Sequence, residues 1–246
     1  MRLPATWGGR CRMDLVMASN PPANLPLLGA AHVAILGGVV AAGALLAFLQ
    51  RTWARGFKGL RMGVGAALLA DTAAWYGYQI ALRQPIFPQN LPLELCDITL
   101  LLTIAVLFWR SALLFDLVYY WALAGTSMAL LTPDLWEQFP SLATCQFFFA
   151  HGLVVAAVLY LVWSGEMRPR PGSVGRAMIG VNVCAACDGA FDAIFHTNYM
   201  YLARKPENAS LLSILGPWPW YLAATEIVAL ALFVLLYLPF RRRAVH

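Results

Sequence analysis

An all-α bundle of seven membrane-spanning helices is the fold this sequence predicts, and three observations predict it. Of the 246 residues, 61% are hydrophobic and 12% charged, about half the charged fraction of a typical soluble domain. The mean hydropathy is +0.66. The apolar residues gather into seven runs of roughly the 18–25 residues that cross a bilayer as a helix. The basic residues fall between those runs and are sorted by side.

Span one covers residues 27–49, span two 60–82, span three 93–109, span four 112–131, span five 142–163, span six 174–195 and span seven 218–240. Residues 25–246 are therefore one transmembrane domain, with no stretch left for a separate soluble one. Ahead of it, residues 1–24 read as a disordered leader. "MRLPATWGGRCRMDLVM" lacks the apolar core of a signal peptide, and Met13 and Met17 offer internal starts.

A net charge of +5 on a soluble protein would suggest a nucleic-acid partner. Here the charges mark topology instead, so no nucleic acid is expected. One side carries Arg51, Arg55, Lys58, Arg61, Arg110, Arg168, Arg170, Arg176 and Arg241 to Arg243, eleven in all, and the other only Arg2, Arg10, Arg12, Arg83, Arg204 and Lys205. Cytoplasmic loops are the basic ones. The expected protein is a multi-pass protein of the cell membrane with its N-terminus outside and its C-terminus in the cytoplasm.

The loops assigned to the outer side, "RQPIFPQNLPLE", "TPDLWEQFPS" and "TNYMYLARKPENASLLSILGPWP", are rich in Pro, Asn and aromatic residues, so chemistry is expected at that face. Tyr199, Tyr201, Leu202 and Trp218 alternating with Lys205, Glu207 and Asn208 read as an amphipathic segment at the headgroup level.

An ionisable group at the centre of a bilayer helix costs about 2.5–3.5 kcal/mol on insertion scales and asks for a partner or a task. Span two holds Asp71 beside a face made by Thr72, Tyr76 and Gln79, which should point into the bundle. Span four holds Asp116, span five Gln146 and His151, and span seven Glu226. Span six carries Cys184, Asp188, Asp192 and His196 at four-residue spacing. Asp192 and His196, with His151, could ligate zinc, but no HExxH-like pair exists. The leading reading is that Asp188 and Asp192 hydrogen-bond to neighbouring helices with His196 at the water interface, followed by a proton or ion path.

Five cysteines give no disulfide framework. The pair in "CAAC" at 184–187 reads as a small-residue packing face. Cys96 differs, because "NLPLELCDITL" places it between Glu94 and Asp97 where a polar loop meets span three. Pro92 suits a first helical turn, so this span is expected to begin near Leu91, with Cys96 about one turn inside. The helix N-terminus favours a thiolate, whereas two acids and an apolar setting oppose it. A basic partner is needed, and His151 is the candidate. From Leu142 it lies about 14 Å along its helix, deeper than Cys96 by about one and a half turns. Packing roles for both residues remain open on these grounds.

The segments "LPLELCDI", "QFFFAHG" and "NYMYLARKPENASLLSILGPWPWYLAATE" resemble the YwaF-like family of bacterial integral membrane proteins, which is similar to the eukaryotic transmembrane protein 164. The resemblance extends over all seven spans. It implies a cysteine-dependent acyltransferase acting on phospholipids, with Cys96 as nucleophile and His151 as its histidine. In the family pattern a histidine often stands where this chain has Glu94.

The expected function is transfer of a fatty acyl chain between glycerophospholipids through a Cys96 thioester. Asp71 or Asp192 would orient His151, and Glu94, Asp97, Asn198, Tyr199, Lys205 and Asn208 would meet the headgroup. No cofactor or metal is implied, and membrane phospholipids are the expected partners. The alternatives are a non-enzymatic carrier or scaffold that uses the intramembrane acids, and a metal-dependent lipid hydrolase.

Overall fold

The computed structural model describes residues 25–53, 58–135, 137–206 and 211–241, and among these it is all-α without a strand. The leader expected over residues 1–24 and the headgroup contact expected of Asn208 lie outside the described residues. Eight helices follow in order: α1 (Ala30–Trp53), α2 (Lys58–Ala81), α3 (Leu95–Trp109), α4 (Ala112–Leu131), α5 (Leu142–Trp163), α6 (Ser173–Phe195), the short α7 (Leu211–Ile214) and α8 (Trp220–Arg241). Each of the seven apolar runs of the sequence is helical. Five of these helices, α1, α4, α5, α6 and α8, are long and apolar enough to cross a membrane. Helix α2 has 24 residues but carries Arg61 and Asp71, and α3 has only 15.

Local chemistry sets the helix ends. Ser141 opens α5 with a capping box, its hydroxyl accepting from Thr144 N at 3.2 Å while Thr144 Oγ1 accepts from Ser141 N at 2.9 Å. Ser111 caps α4 by accepting from Leu114 N. Helix α3 starts later than the sequence suggests. Pro92 is not in its first turn, because the Leu91 amide donates to Tyr199 Oη at 2.9 Å and Leu93 N donates to the Leu91 carbonyl at 2.8 Å. That turn places Glu94 at the N-cap and Cys96 at the second helical position rather than a full turn inside.

Helices α4 and α5 form the centre. Phe115, Val118, Tyr120, Trp121 and Ala122 of α4 pack with Val154, Ala157, Val158, Tyr160 and Leu161 of α5, all nearly or fully buried. Helices α1, α6 and α8 stand at the periphery and leave apolar side chains such as Leu45, Ile179, Ile194, Ile227 and Leu235 exposed, as lipid-facing helices do. Helix α1 lies close against α5 because small residues allow it. A Cβ at Gly43 would come within 2.9 Å of Leu159, and one at Gly152 within 2.8 Å of Val39.

The end of the bundle with the arginine-rich loops is tied by ion pairs. Asp116 is fully buried and takes Arg170 Nη2 at 2.7 Å, Arg176 Nη2 at 2.9 Å and the Arg170 amide at 3.0 Å. Arg110 pairs with Glu166 at 3.0 Å. Truncating one partner of a buried pair costs 3–5 kcal/mol, and the partial exposure of both guanidiniums reduces this. Asp116→Asn is accordingly expected to destabilise the protein by about 2 kcal/mol. Thermal unfolding in detergent would register this as a lowered Tm, and an unchanged Tm would show the pairs to be dispensable.

Candidate functional site

The opposite end of the bundle holds most of the polar residues that the sequence singled out. Cys96 stands in the first turn of α3, before the first intrahelical bond, which Ile98 N makes to the Glu94 carbonyl. The unpaired amides and dipole of that turn face developing negative charge favourably. Asp97, at the third helical position, lines the cavity beside the cysteine.

Cys96 and His151 line one cavity of about 70 Å³, together with Trp75 and Asp97, Thr126 of α4, and Gln146, Ala150 and Val154 of α5. Its four residues from α5, at 146, 150, 151 and 154, share one helical face. A second cavity of about 30 Å³ shares the walls Trp75, Asp97, Leu100 and Gln146 and adds Thr72, Tyr76, Pro92 and Leu101. Leu101 is exposed on the outside of the bundle, so the second cavity borders the surface between α2 and α3 and shares walls with the one that holds the cysteine. The depth difference expected from helix rise does not separate Cys96 from His151, although α5 begins at Leu142 as the sequence suggests.

The His151 ring is oriented by its own helix. Nδ1 lies 2.9 Å from the Phe147 carbonyl oxygen, and a carbonyl can only accept, so Nδ1 carries the proton and Nε2 is left with its lone pair. The Phe147 ring stacks on the imidazole at 4.1 Å between centroids and 30°. His32 makes the contrast. It is fully buried, its Nδ1 accepts from Leu28 N at 3.0 Å, and its Nε2 donates to the Leu130 carbonyl at 2.8 Å. Both nitrogens of His32 are spent on backbone, whereas one nitrogen of His151 is not.

The acids expected to orient His151 have other partners. Asp71 accepts from Gln146 Nε2 at 3.0 Å and so fixes a cavity-lining amide instead of the imidazole. Asp192 Oδ1 accepts from Thr197 Oγ1 at 2.5 Å and from Tyr199 N at 3.0 Å. The orienting acceptor on the ring is the Phe147 carbonyl. The zinc constellation is not assembled either, since no group of three His, Cys, Asp or Glu side chains among the described residues is placed to hold a metal. His196 follows the end of α6 in a left-handed conformation and is exposed.

The expected headgroup residues build a latch between two segments. Glu94 Oε2 accepts from Met200 N at 2.9 Å, and Tyr199 Oη donates to the Pro88 carbonyl at 2.7 Å while accepting from Leu91 N. Asn198 closes its own turn, accepting from the Ala203 and Arg204 amides and donating to the Arg204 carbonyl. Tyr201 Oη donates to Asp134 at 3.1 Å, and burial, then the Asp134 carboxylate, hold that phenol well above its ordinary range. Lys205 reaches the Ser213 carbonyl and lies 5.3 Å from the Tyr221 ring centre. Tyr199 is buried rather than lying at a headgroup belt, whereas Trp218 and Trp220 remain exposed.

Thr126 and Gln146 are cavity residues that sequence spacing did not single out as site residues. Thr126 ends a π-helical turn, Trp121–Thr126, inside α4, the kind of bulge that often marks a functional site. Its hydroxyl is buried and makes no hydrogen bond of acceptable geometry among the described residues, although the Cys96 thiol lies beside it.

Compared with known proteins, the TMEM164 family model matches residues 27–237. No curated protein and no solved structure matches the chain.

Proposed function

Because the chain belongs to the TMEM164 family, with all of α1 to α6 inside the match, we propose that it is an acyltransferase of the cell membrane. It crosses the bilayer seven times, N-terminus outside and C-terminus cytoplasmic, and moves a fatty acyl chain between glycerophospholipids. The observation that carries this reading is the shared cavity of Cys96 and His151, with the imidazole held so that Nε2 is the free base.

His151 Nε2 takes the thiol proton as Cys96 Sγ attacks the donor ester. The S–C bond forms, the carbonyl electrons move onto oxygen, and collapse expels the lysolipid alkoxide, which takes the proton back from His151. The acceptor alcohol then gives its proton to His151, attacks the thioester and releases the thiolate, which is reprotonated. A cavity of about 70 Å³ admits a few waters or the reacting ester group, so the acyl chain itself extends outward past Leu101 into lipid. Thioester transfer to an alcohol in preference to water requires such a confined site.

Purified protein incubated with phosphatidylcholine vesicles is expected to gain a fatty-acyl mass that hydroxylamine removes, read by intact mass spectrometry. Turnover without any such adduct would overturn the covalent route. A second reading, a carrier with an acidic path, is favoured by the buried, unpartnered oxygens Oδ2 of Asp188 and Asp192. It predicts that Cys96→Ala keeps the cellular effect of the wild type.

A further inference from the structure

We propose that Thr126 is a catalytic residue whose hydroxyl receives the negative charge that develops on the substrate carbonyl oxygen at Cys96, an assignment that rests on the acyl-transfer reading. A buried hydroxyl whose one polar neighbour is a poorly aligned thiol is costly, and native proteins rarely leave one unless the group has a task. Neighbouring threonines show the ordinary solution. Thr72, Thr99, Thr103, Thr132 and Thr225 each donate to the carbonyl four residues earlier at 2.6–3.0 Å. Thr126 does not, because the π-turn displaces the backbone at that point. The vacated acceptor position is filled by Ser127, whose hydroxyl donates to the Ala122 carbonyl at 3.2 Å.

The hydroxyl also lines the cavity that holds the thiol and borders it. Attack by Sγ puts the carbonyl carbon on the sulfur and its oxygen one bond further out, within reach of a donor that already borders the thiol. In the tetrahedral intermediate the O–H of Thr126 donates to the oxyanion. When the intermediate collapses, the electron pair returns to the C=O bond, the alkoxide leaves with the proton held by His151, and Thr126 is unchanged. It moves no proton, so its main effect falls on the acylation step, with a smaller one through its contact with the thiol.

The test compares wild type, Thr126→Val, Thr126→Ser and Cys96→Ala in vesicles of phosphatidylcholine with a labelled acyl chain. Two rates are measured at Cys96, single-turnover adduct formation and alkylation by iodoacetamide, which passes through no oxyanion. Thr126→Val keeps the side-chain shape, and it is expected to slow adduct formation by about 10²-fold while slowing alkylation far less, only through the lost contact with the thiol. Thr126→Ser is expected to restore most of the acylation rate. Wild-type adduct formation by Thr126→Val would overturn the assignment alone. A parallel fall in alkylation would place Thr126 on the sulfur or in the fold and overturn it as well. A wild-type protein that forms no adduct would take down the acyl-transfer reading, and the oxyanion role with it.

Discussion

Cys96→Ala is expected to abolish both the acyl adduct and acyl transfer while the protein stays folded. The thiol is the only group in the cavity that can carry an acyl chain as a thioester, and the loss of sulfur leaves His151 without a nucleophile to deprotonate. The structural cost is small. Removing one sulfur atom from a half-buried position is expected to lower stability by about 1 kcal/mol, which a melting curve in detergent separates from loss of chemistry. Cys96→Ser sharpens the comparison. It keeps shape and a hydroxyl, but an alcohol is far weaker than a thiol as a nucleophile at its own pKa, so transfer is expected to fall by at least 10²-fold, the lower end of what a positioned base contributes. Cys145, Cys184 and Cys187 are also free thiols, and adduct mapping by peptide mass spectrometry distinguishes them from Cys96. Transfer that survives Cys96→Ala at the wild-type rate would remove the cysteine from the mechanism and move weight to the carrier.

Apolar runs were legible because they are local. Residues 142–163 are read from the sequence and found as α5, where Ser141 and Thr144 settle the start within one turn. The start of α3 was not, because the bond that keeps Leu91 out of the helix comes from Tyr199, more than a hundred residues away. The inward face of α2 was read from the spacing of Thr72, Tyr76 and Gln79, and all three are part-buried beside exposed neighbours. Which groups Asp71 and Asp192 would meet depends on helix rotation, and each meets a group that spacing could not name, Gln146 for one and the Tyr199 amide for the other. Asn198 and Tyr199 look like headgroup ligands in sequence because they are polar and aromatic residues of an outer loop. In the structure their polar atoms are used to shape that loop against residues 88–94. Thr126 was silent for a different reason. The π-turn that ends at Thr126 has no local mark in "WALAGTSM".

His151→Gln is expected to slow adduct formation by about 10²–10⁴-fold, the usual contribution of a positioned base. Glutamine keeps a polar group of similar reach but has no nitrogen lone pair that can take a proton. The variant is expected to fold, because the imidazole makes one hydrogen bond, to the Phe147 carbonyl of its own helix, and otherwise stacks on Phe147. Unlike Thr126→Val, it is expected to slow iodoacetamide alkylation of Cys96 as well, since the base acts by raising the thiolate population. The pH dependence separates a base from a structural contact. In the wild type the rate is expected to depend on neutral imidazole and to be lost as the pH falls and Nε2 is protonated. In the variant only free thiolate reacts, so its rate is expected to rise about tenfold per pH unit below the thiol pKa and to approach the wild type at high pH. A His151→Gln protein whose rate is low but follows the wild-type pH profile would show the histidine to be holding the cavity open rather than moving a proton. In that case the free Nε2, and not the cysteine, is the part of the mechanism to give up.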